Sequence, residues 1–298
     1  MISPVVLFVF ARPDHTLQTL NALAANDLAD QSDLIVYADG PRNESDVDQV
    51  KAVRDVVRAA TGFRSVTLIA RETNFGLARN IIEGVTEVCD RYGRVIVLED
   101  DIVTAPSFLR FINGALDRYA DDPRVWHVSG WNYPIDANGL GDAYFWQMMN
   151  CWGWATWADR WRYFSTAKDE VSGMSVQDRR RFNIEGTFDF WSHLELNWAG
   201  KMHTWAIFWY ATIFTNGGLA LNPAVSLTNN IGYDGSGTNC LASDVYQVTI
   251  TRKSVFEYPD QVTQNMLARK RIRGFYRRSR PPFYKRGLSF LKRKMFGK

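Results

Sequence analysis

Three consecutive carboxylates, Glu99-Asp100-Asp101, are the residues in this sequence best placed to do chemistry. They follow directly on the apolar run Val95-Ile96-Val97-Leu98. Adjacent acids repel one another unless a cation or hydrogen-bond donors compensate. A hard divalent ion would do so, and Mg²⁺ or Mn²⁺ would keep positions for water and phosphate oxygens. The alternative is a solvated acidic turn or cap before the helix that starts a few residues later. The triplet alone does not choose between these. Its place after a buried strand favours the metal, because ligands in open α/β sheets bind beyond the carboxyl ends of the strands.

Other chemistries find little support. GxGxxG is absent after the first strand and GxxxxGK[ST] is absent throughout, which removes the main signals of dinucleotide and P-loop sites. Gly235-Ser236-Gly237 lacks the strand-turn-helix setting of a nucleophile elbow. His15, His127, His193 and His203 show no HExxH spacing and read as structural. Cys89, Cys151 and Cys240 form no CxxC pair, which argues for a reducing compartment and against a disulfide scaffold or zinc site.

The elements that position the triplet alternate along the first 130 residues. Val5 to Ala11, Leu34 to Ala38, Val66 to Ala70, Val95 to Leu98 and Val125 to Ser129 read as buried strands. Between them, helical faces start at Pro13, run through Val47, Val50, Val53 and Val57, span Leu77 to Tyr92 up to Gly93, and span Pro106 to Tyr119. This pattern predicts an α/β fold, a mostly parallel central sheet with helices on both faces. Residues 131 to 265 are less regular and complete the same domain. There Trp152, Trp154, Trp157 and Trp161 are spaced as on a helix packing into the core.

Length suits one large domain or two small ones, and a 46% hydrophobic, 22% charged composition is that of a globular protein. No apolar run approaches the roughly 20 residues that span a bilayer. Val5 to Phe10 is too short for a signal-peptide core and has no basic segment before it. The net charge of +3 hides an asymmetry: residues 269–298 hold 13 Lys or Arg and no acid, leaving 22 basic against 32 acidic residues elsewhere. A domain over 1–265 followed by a basic, aromatic tail over 266–298 is expected. Residues 269–298 suit an anionic membrane surface at the cytoplasmic face, and no nucleic-acid module is present.

At several motifs, in order, the sequence resembles glycosyltransferases of the glycosyltransferase-A fold, in particular the N-acetylglucosaminyltransferase I family and bacterial relatives that assemble surface polysaccharides. These are Phe10-Ala11-Arg12-Pro13, Val36-Tyr37-Ala38-Asp39-Gly40, Asn74 to Asn80, Val97 to Asp101, Ala105 to Phe108 and Trp126 to Asn132. The match is good over residues 4–135 and looser over 144–240. The resemblance implies a cytoplasmic, metal-dependent, inverting transferase, peripheral to the membrane. It would move a sugar from a nucleotide-diphosphate donor, UDP-linked, to a saccharide or lipid-linked acceptor. Arg12 and Asp39 would hold the nucleotide, framed by Asn74, Gly76 and Arg79. Asp101 would bind Mn²⁺ or Mg²⁺ directly, with Glu99 and Asp100 touching sugar or ribose.

An inverting transfer needs a group to take the acceptor proton. The family's base lies in a Trp-Asp-Asp-Trp stretch, and the corresponding Trp205 to Trp209 holds no carboxylate. Asp234 in the glycine-rich loop is the first candidate, followed by Glu195 and Asp189. Trp131 and Asn132, directly after a strand, are the expected sugar contacts. A nucleotidyltransferase acting on sugar phosphates is the rival enzyme reading, although Phe10 to Pro13 lacks its glycine-rich loop. A non-catalytic membrane- or nucleic-acid-binding protein driven by the tail is the rival outside enzymes.

Overall fold

A computed structural model describes residues 2–233 and 245–279. The strands are β1 (Val5–Val9), β2 (Asp33–Ala38), β3 (Ser65–Ala70), β4 (Arg94–Glu99), β5 (Ile102–Thr104), β6 (Val125–Ser129), β7 (Ala143–Trp146), β8 (Trp154–Trp157), β9 (Leu219–Pro223) and β10 (Thr228–Asn230). The helices are α1 (Pro13–Ala24), α2 (Val47–Arg58), α3 (Leu77–Tyr92), α4 (Phe108–Arg118), α5 (Ala158–Trp161), α6 (Val176–Phe182), α7 (Trp191–Trp198), α8 (Ala206–Thr215) and α9 (Met266–Ser279).

Eight strands form one sheet in the order β3-β2-β1-β4-β8-β6-β9-β7. The first four are mutually parallel, as expected of strands joined by crossover helices. The expected mixed α/β architecture with a mostly parallel sheet is therefore the one observed. Side chains alternate along each strand, so Val5, Leu7 and Val9 join α1, α2 and α4 in one core. Val6 and Phe8 join α3, α8 and α9 in the other. Helices thus cover both faces.

Two expectations need correction. Trp154 to Trp157 is not helical but forms β8, antiparallel to both β4 and β6. Its tryptophans are core residues nonetheless, because a central strand is buried on both faces. Secondly, residues 266–279 are not a free tail. They form α9, whose Ala268, Ile272, Phe275 and Tyr276 are buried in the core, and the Tyr276 hydroxyl meets that of Tyr133 at 2.9 Å. Among the described residues no helix is long and apolar enough to cross a membrane.

A small antiparallel ribbon completes the frame. β10 pairs with β5, just past the carboxylate triplet. The chain leaving β10 stays there, since the Ile231 amide donates to the Asp101 carbonyl at 2.9 Å.

Candidate active site

The carboxyl ends of β1, β2, β3 and β4 deliver Arg12, Asp39, Asn74 and the triplet to the same edge of the sheet. Arg12 reaches across from β1 to β4. Its Nη2 donates to Asp100 Oδ1, its Nε to Asp100 Oδ2 at 3.3 Å, and Nη2 again to Asp101 Oδ2 at 2.9 Å. The Phe10 amide adds a bond to Asp100 Oδ2 at 3.3 Å. Thus Arg12 supplies the compensating charge, and Asp100 is fully occupied by the protein itself.

Burial and charge set the titration of these groups. Burial works against the charge on Arg12, but Asp100 and Asp101 outweigh it and hold its pKa above the ordinary value. Burial, then the charges of Asp101 and Asp100, push Glu99 up to about 8 against the pull of Arg12. Burial likewise pushes Asp100 up, here directly opposed by Arg12.

Among the described residues no group of three or more His, Cys, Asp or Glu gathers as a ready-made metal cage. A single-carboxylate mode is nonetheless available. Asp101 Oδ1 accepts no hydrogen bond among the described residues, and neither oxygen of Glu99 does. Hard oxygens of this kind suit Mg²⁺ or Mn²⁺ that shares its coordination with water and phosphate. The residues therefore fit such an ion as a weak protein site completed by a phosphorylated ligand.

Gly232 closes the cluster from the ribbon side. A Cβ there would overlap Asp101 Oδ2 and stand 2.9 Å from Asp101 Cγ and 3.1 Å from Arg12 Nη1. Only a residue without a side chain leaves this approach open. Gly232 was legible in the sequence as part of a glycine-rich loop, but not as a wall of the site.

Asp39 is placed at the site's edge, between the loops that follow β2 and β3. Its Oδ1 accepts from the Gly40 and Phe75 amides at 2.9 and 2.8 Å, and its Oδ2 from the Gly76 amide and Asn74 Nδ2 at 2.9 and 3.0 Å. With four bonds made, and 5% exposure, the carboxylate knits the β2 and β3 loops together. Asn74 is a partner in that knot. Gly76 sits at φ +75°, which a side chain would strain, and starts α3. Arg79 is exposed, pairs with Glu83 at 2.6 Å and lies 3.9 Å over the Phe75 ring.

The expected sugar contacts are also corrected. Trp131 is 2% exposed and Asn132 is fully buried. Asn132 donates to the Ala224 carbonyl at 2.7 Å and accepts from the Tyr144 hydroxyl at 2.6 Å, so it anchors core loops. Glu195 accepts from Trp191 Nε1 at 2.8 Å on α7, and among the described residues no hydrogen bond or ion pair joins it to the triplet. Asp189 accepts from the Ser192 amide at 3.2 Å at the start of the same helix. Asp234 lies outside the described residues.

No known protein family matches the chain, and no curated protein does. Among solved structures it is similar to the mannosyltransferase PcManGT from Pyrobaculum calidifontis, in complex with GDP-Man and Mn²⁺. There the identity is 12%, with 72% of this chain and 69% of that one covered and a TM-score of 0.39. It is also similar to residues 1–349 of S. aureus TarS, at 12% identity over 76% and 59% of the two chains and a TM-score of 0.44. A third similar structure is CMP:2-keto-3-deoxy-manno-octonic acid synthetase complexed with CTP, at 12% identity over 80% and 94% and a TM-score of 0.39.

Proposed function

We propose that this protein is a metal-dependent, inverting glycosyltransferase. It takes a sugar from a nucleotide-diphosphate donor, UDP-linked, to a saccharide or lipid-linked acceptor in surface-glycan assembly. The observation that carries this reading is Asp101. Its carboxylate stands at the carboxyl end of a parallel-sheet strand, with one oxygen unbonded among the described residues and a guanidinium at 2.9 Å from the other.

Asp101 would hold Mn²⁺ or Mg²⁺, and such an ion supplies charge neutralisation of a departing diphosphate. Arg12, bound to both aspartates, offsets part of their charge and holds them in place, so the cluster stays net acidic and suited to a cation that bridges to the diphosphate. The Asp39 knot holds the 74–76 loop in shape beside it, so Asn74, Gly76 and Arg79 frame the donor pocket through backbone order. Asp234 is assigned the proton of the acceptor hydroxyl, because it follows Gly232 by two residues and Gly232 lies on Asp101. Glu195, committed to Trp191, is the weaker candidate.

Membrane attachment through the basic C-terminal region is part of the same proposal. Lys270, Arg277 and Arg278 are exposed on α9, which contains no acid, and the basic sequence continues to residue 298. Held at the inner face of the cytoplasmic membrane, the enzyme would meet a lipid-linked acceptor.

Calorimetric titration of UDP tests the core of the reading, with Mn²⁺, with chelator, and with Asp101→Ala. Binding that needs both the ion and Asp101 supports it. Absence of UDP, GDP and dTDP binding to the wild type with Mn²⁺ would overturn it.

A further inference from the structure

Three aromatic rings stand together on the other side of the triplet from the Asp39 knot. Trp152 and Tyr233 have ring centroids 5.5 Å apart, Trp152 and Tyr246 5.6 Å, and Tyr233 and Tyr246 5.6 Å. All three side chains are half-buried, unlike Trp131 and Trp154, which the core encloses. Two connections fix the cluster at the site. Tyr233 directly follows Gly232, the residue against Asp101 and Arg12. Trp152 leads into β8, whose first residue, Trp154, pairs antiparallel with Val97, so it lies at the end of β4 that releases Glu99 to Asp101.

The cluster is built firmly. The Trp152 carbonyl accepts from Thr228 Oγ1 at 2.7 Å, and its ring meets the buried Trp131 edge-on at 4.6 Å. Tyr246 packs 5.6 Å from Phe275 of α9. Mutually edge-on and tilted rings, supported from behind and reached by solvent, present faces and edges for an apolar ligand surface. The C–H face of a pyranose is such a surface, and its hydroxyls would point away toward polar groups.

We infer that Trp152, Tyr233 and Tyr246 form an acceptor subsite that takes the C–H face of a hexopyranose. This rests on the transferase reading, which puts the donor on the β1–β3 side of Asp101 and leaves the β8 side for the acceptor. The subsite replaces Trp131 and Asn132 as the sugar contact and is a determinant of acceptor choice.

Saturation-transfer-difference NMR on the full chain tests it, with methyl β-D-glucopyranoside, methyl β-D-galactopyranoside and methyl α-D-mannopyranoside as probes. Ring protons of at least one glycoside should be saturated by the wild type. The effect should fall about fivefold or more in Trp152→Ala and in Tyr233→Ala, and persist in Tyr233→Phe. Near-UV circular dichroism screens the variants for folding, and Tyr233→Ala carries the test if Trp152→Ala does not fold. UDP affinity with Mn²⁺ should stay within about twofold. No saturation of any glycoside by the wild type overturns the subsite, as does unchanged saturation in a folded alanine variant. A parallel loss of UDP binding also overturns it, because the rings would then be stacking the donor base. If the glycoside results hold while UDP binds no form of the protein, the transferase reading fails and the subsite stands.

Discussion

Arg12 donates to Asp101 at 2.9 Å across the ends of two adjacent parallel strands, joining a residue after β1 to one after β4. The same guanidinium grips both oxygens of the buried Asp100. It therefore ties two strands together and stabilises a charge that would otherwise be left in the protein interior.

Removing that guanidinium strands a buried carboxylate. Arg12→Ala should cost about 3 kcal/mol or more in urea unfolding, in the range found when one partner of a buried ion pair is removed. Arg12→Lys keeps the charge but not the two-pronged grip on Asp100, and should recover only part of the loss. A variant as stable as the wild type would show that Asp100 does not depend on Arg12.

Asp39 should behave as a structural knot. Asp39→Asn turns one acceptor atom into a donor facing other donors, so it should cost about 2 kcal/mol. Hydrogen exchange at the Phe75 and Gly76 amides should speed up in the same variant. Unchanged protection at both amides, with UDP affinity lost, would instead return Asp39 to direct nucleotide contact.

Gly232→Ala should act on the site more than on the fold. The added Cβ meets Asp101, so either the ribbon or the carboxylate must move. UDP affinity with Mn²⁺ should fall about tenfold or more, while the melting temperature moves little. Affinity equal to wild type in calorimetry would show that the approach is looser than the structure has it.

His127 gives the protein a built-in acid sensitivity. Trp209 Nε1 can only donate, at 3.2 Å to Nδ1, which leaves the Nε2 proton for the Asn150 carbonyl at 3.0 Å and fixes a neutral ring. Burial pushes its pKa down to about 3 from the usual 6.5. Below pH 6.5 the unfolded chain takes up a proton that the folded chain refuses, so stability falls with pH down to about 3. The contribution is complete above pH 6.5. Urea unfolding between pH 7 and 4.5 should show a slope in the wild type that exceeds that of His127→Gln, by up to about 1.4 kcal/mol per pH unit. Parallel slopes would mean that the ring accepts its proton in the folded state.

The outward face of α9 should bind acidic lipid. Reversing Lys270, Arg277 and Arg278 to Glu should lower binding to phosphatidylglycerol-containing vesicles about 100-fold or more, at about 1 kcal/mol for each charge near the surface. Flotation with neutral phosphatidylcholine vesicles should show no such dependence. Equal binding by the reversed variant would remove α9 from the membrane contact.

What the sequence revealed follows from physics that is local to it. Strands β1, β2 and β4 are continuous apolar runs because both faces are covered, and α3 ends where Gly93 takes φ +79°. Position at a strand end identified Arg12 and the triplet. It did not foretell the burial of Trp131 and Asn132, which comes from partners distant in sequence, Tyr246 against the Trp131 ring and Ala224 bonded to Asn132. The pattern Trp154-Ala155-Thr156-Trp157 holds no helix-or-strand decision of its own, since what makes it a strand is β4 on one side and β6 on the other. α9 did carry a readable signal. Ala268, Ile272, Phe275 and Tyr276 recur at intervals of four, three and one, a helical stripe that basic composition obscured.

The position of β8 has a consequence for how the protein is made. The strand that carries the carboxylates has β1 on one edge, and its other edge stays unpaired until a segment more than fifty residues downstream arrives. During synthesis this leaves an apolar edge able to pair with any other exposed strand, including that of a second nascent chain. A chain truncated before Trp154 would expose the same edge permanently, so it should aggregate through β pairing rather than survive as a smaller folded domain.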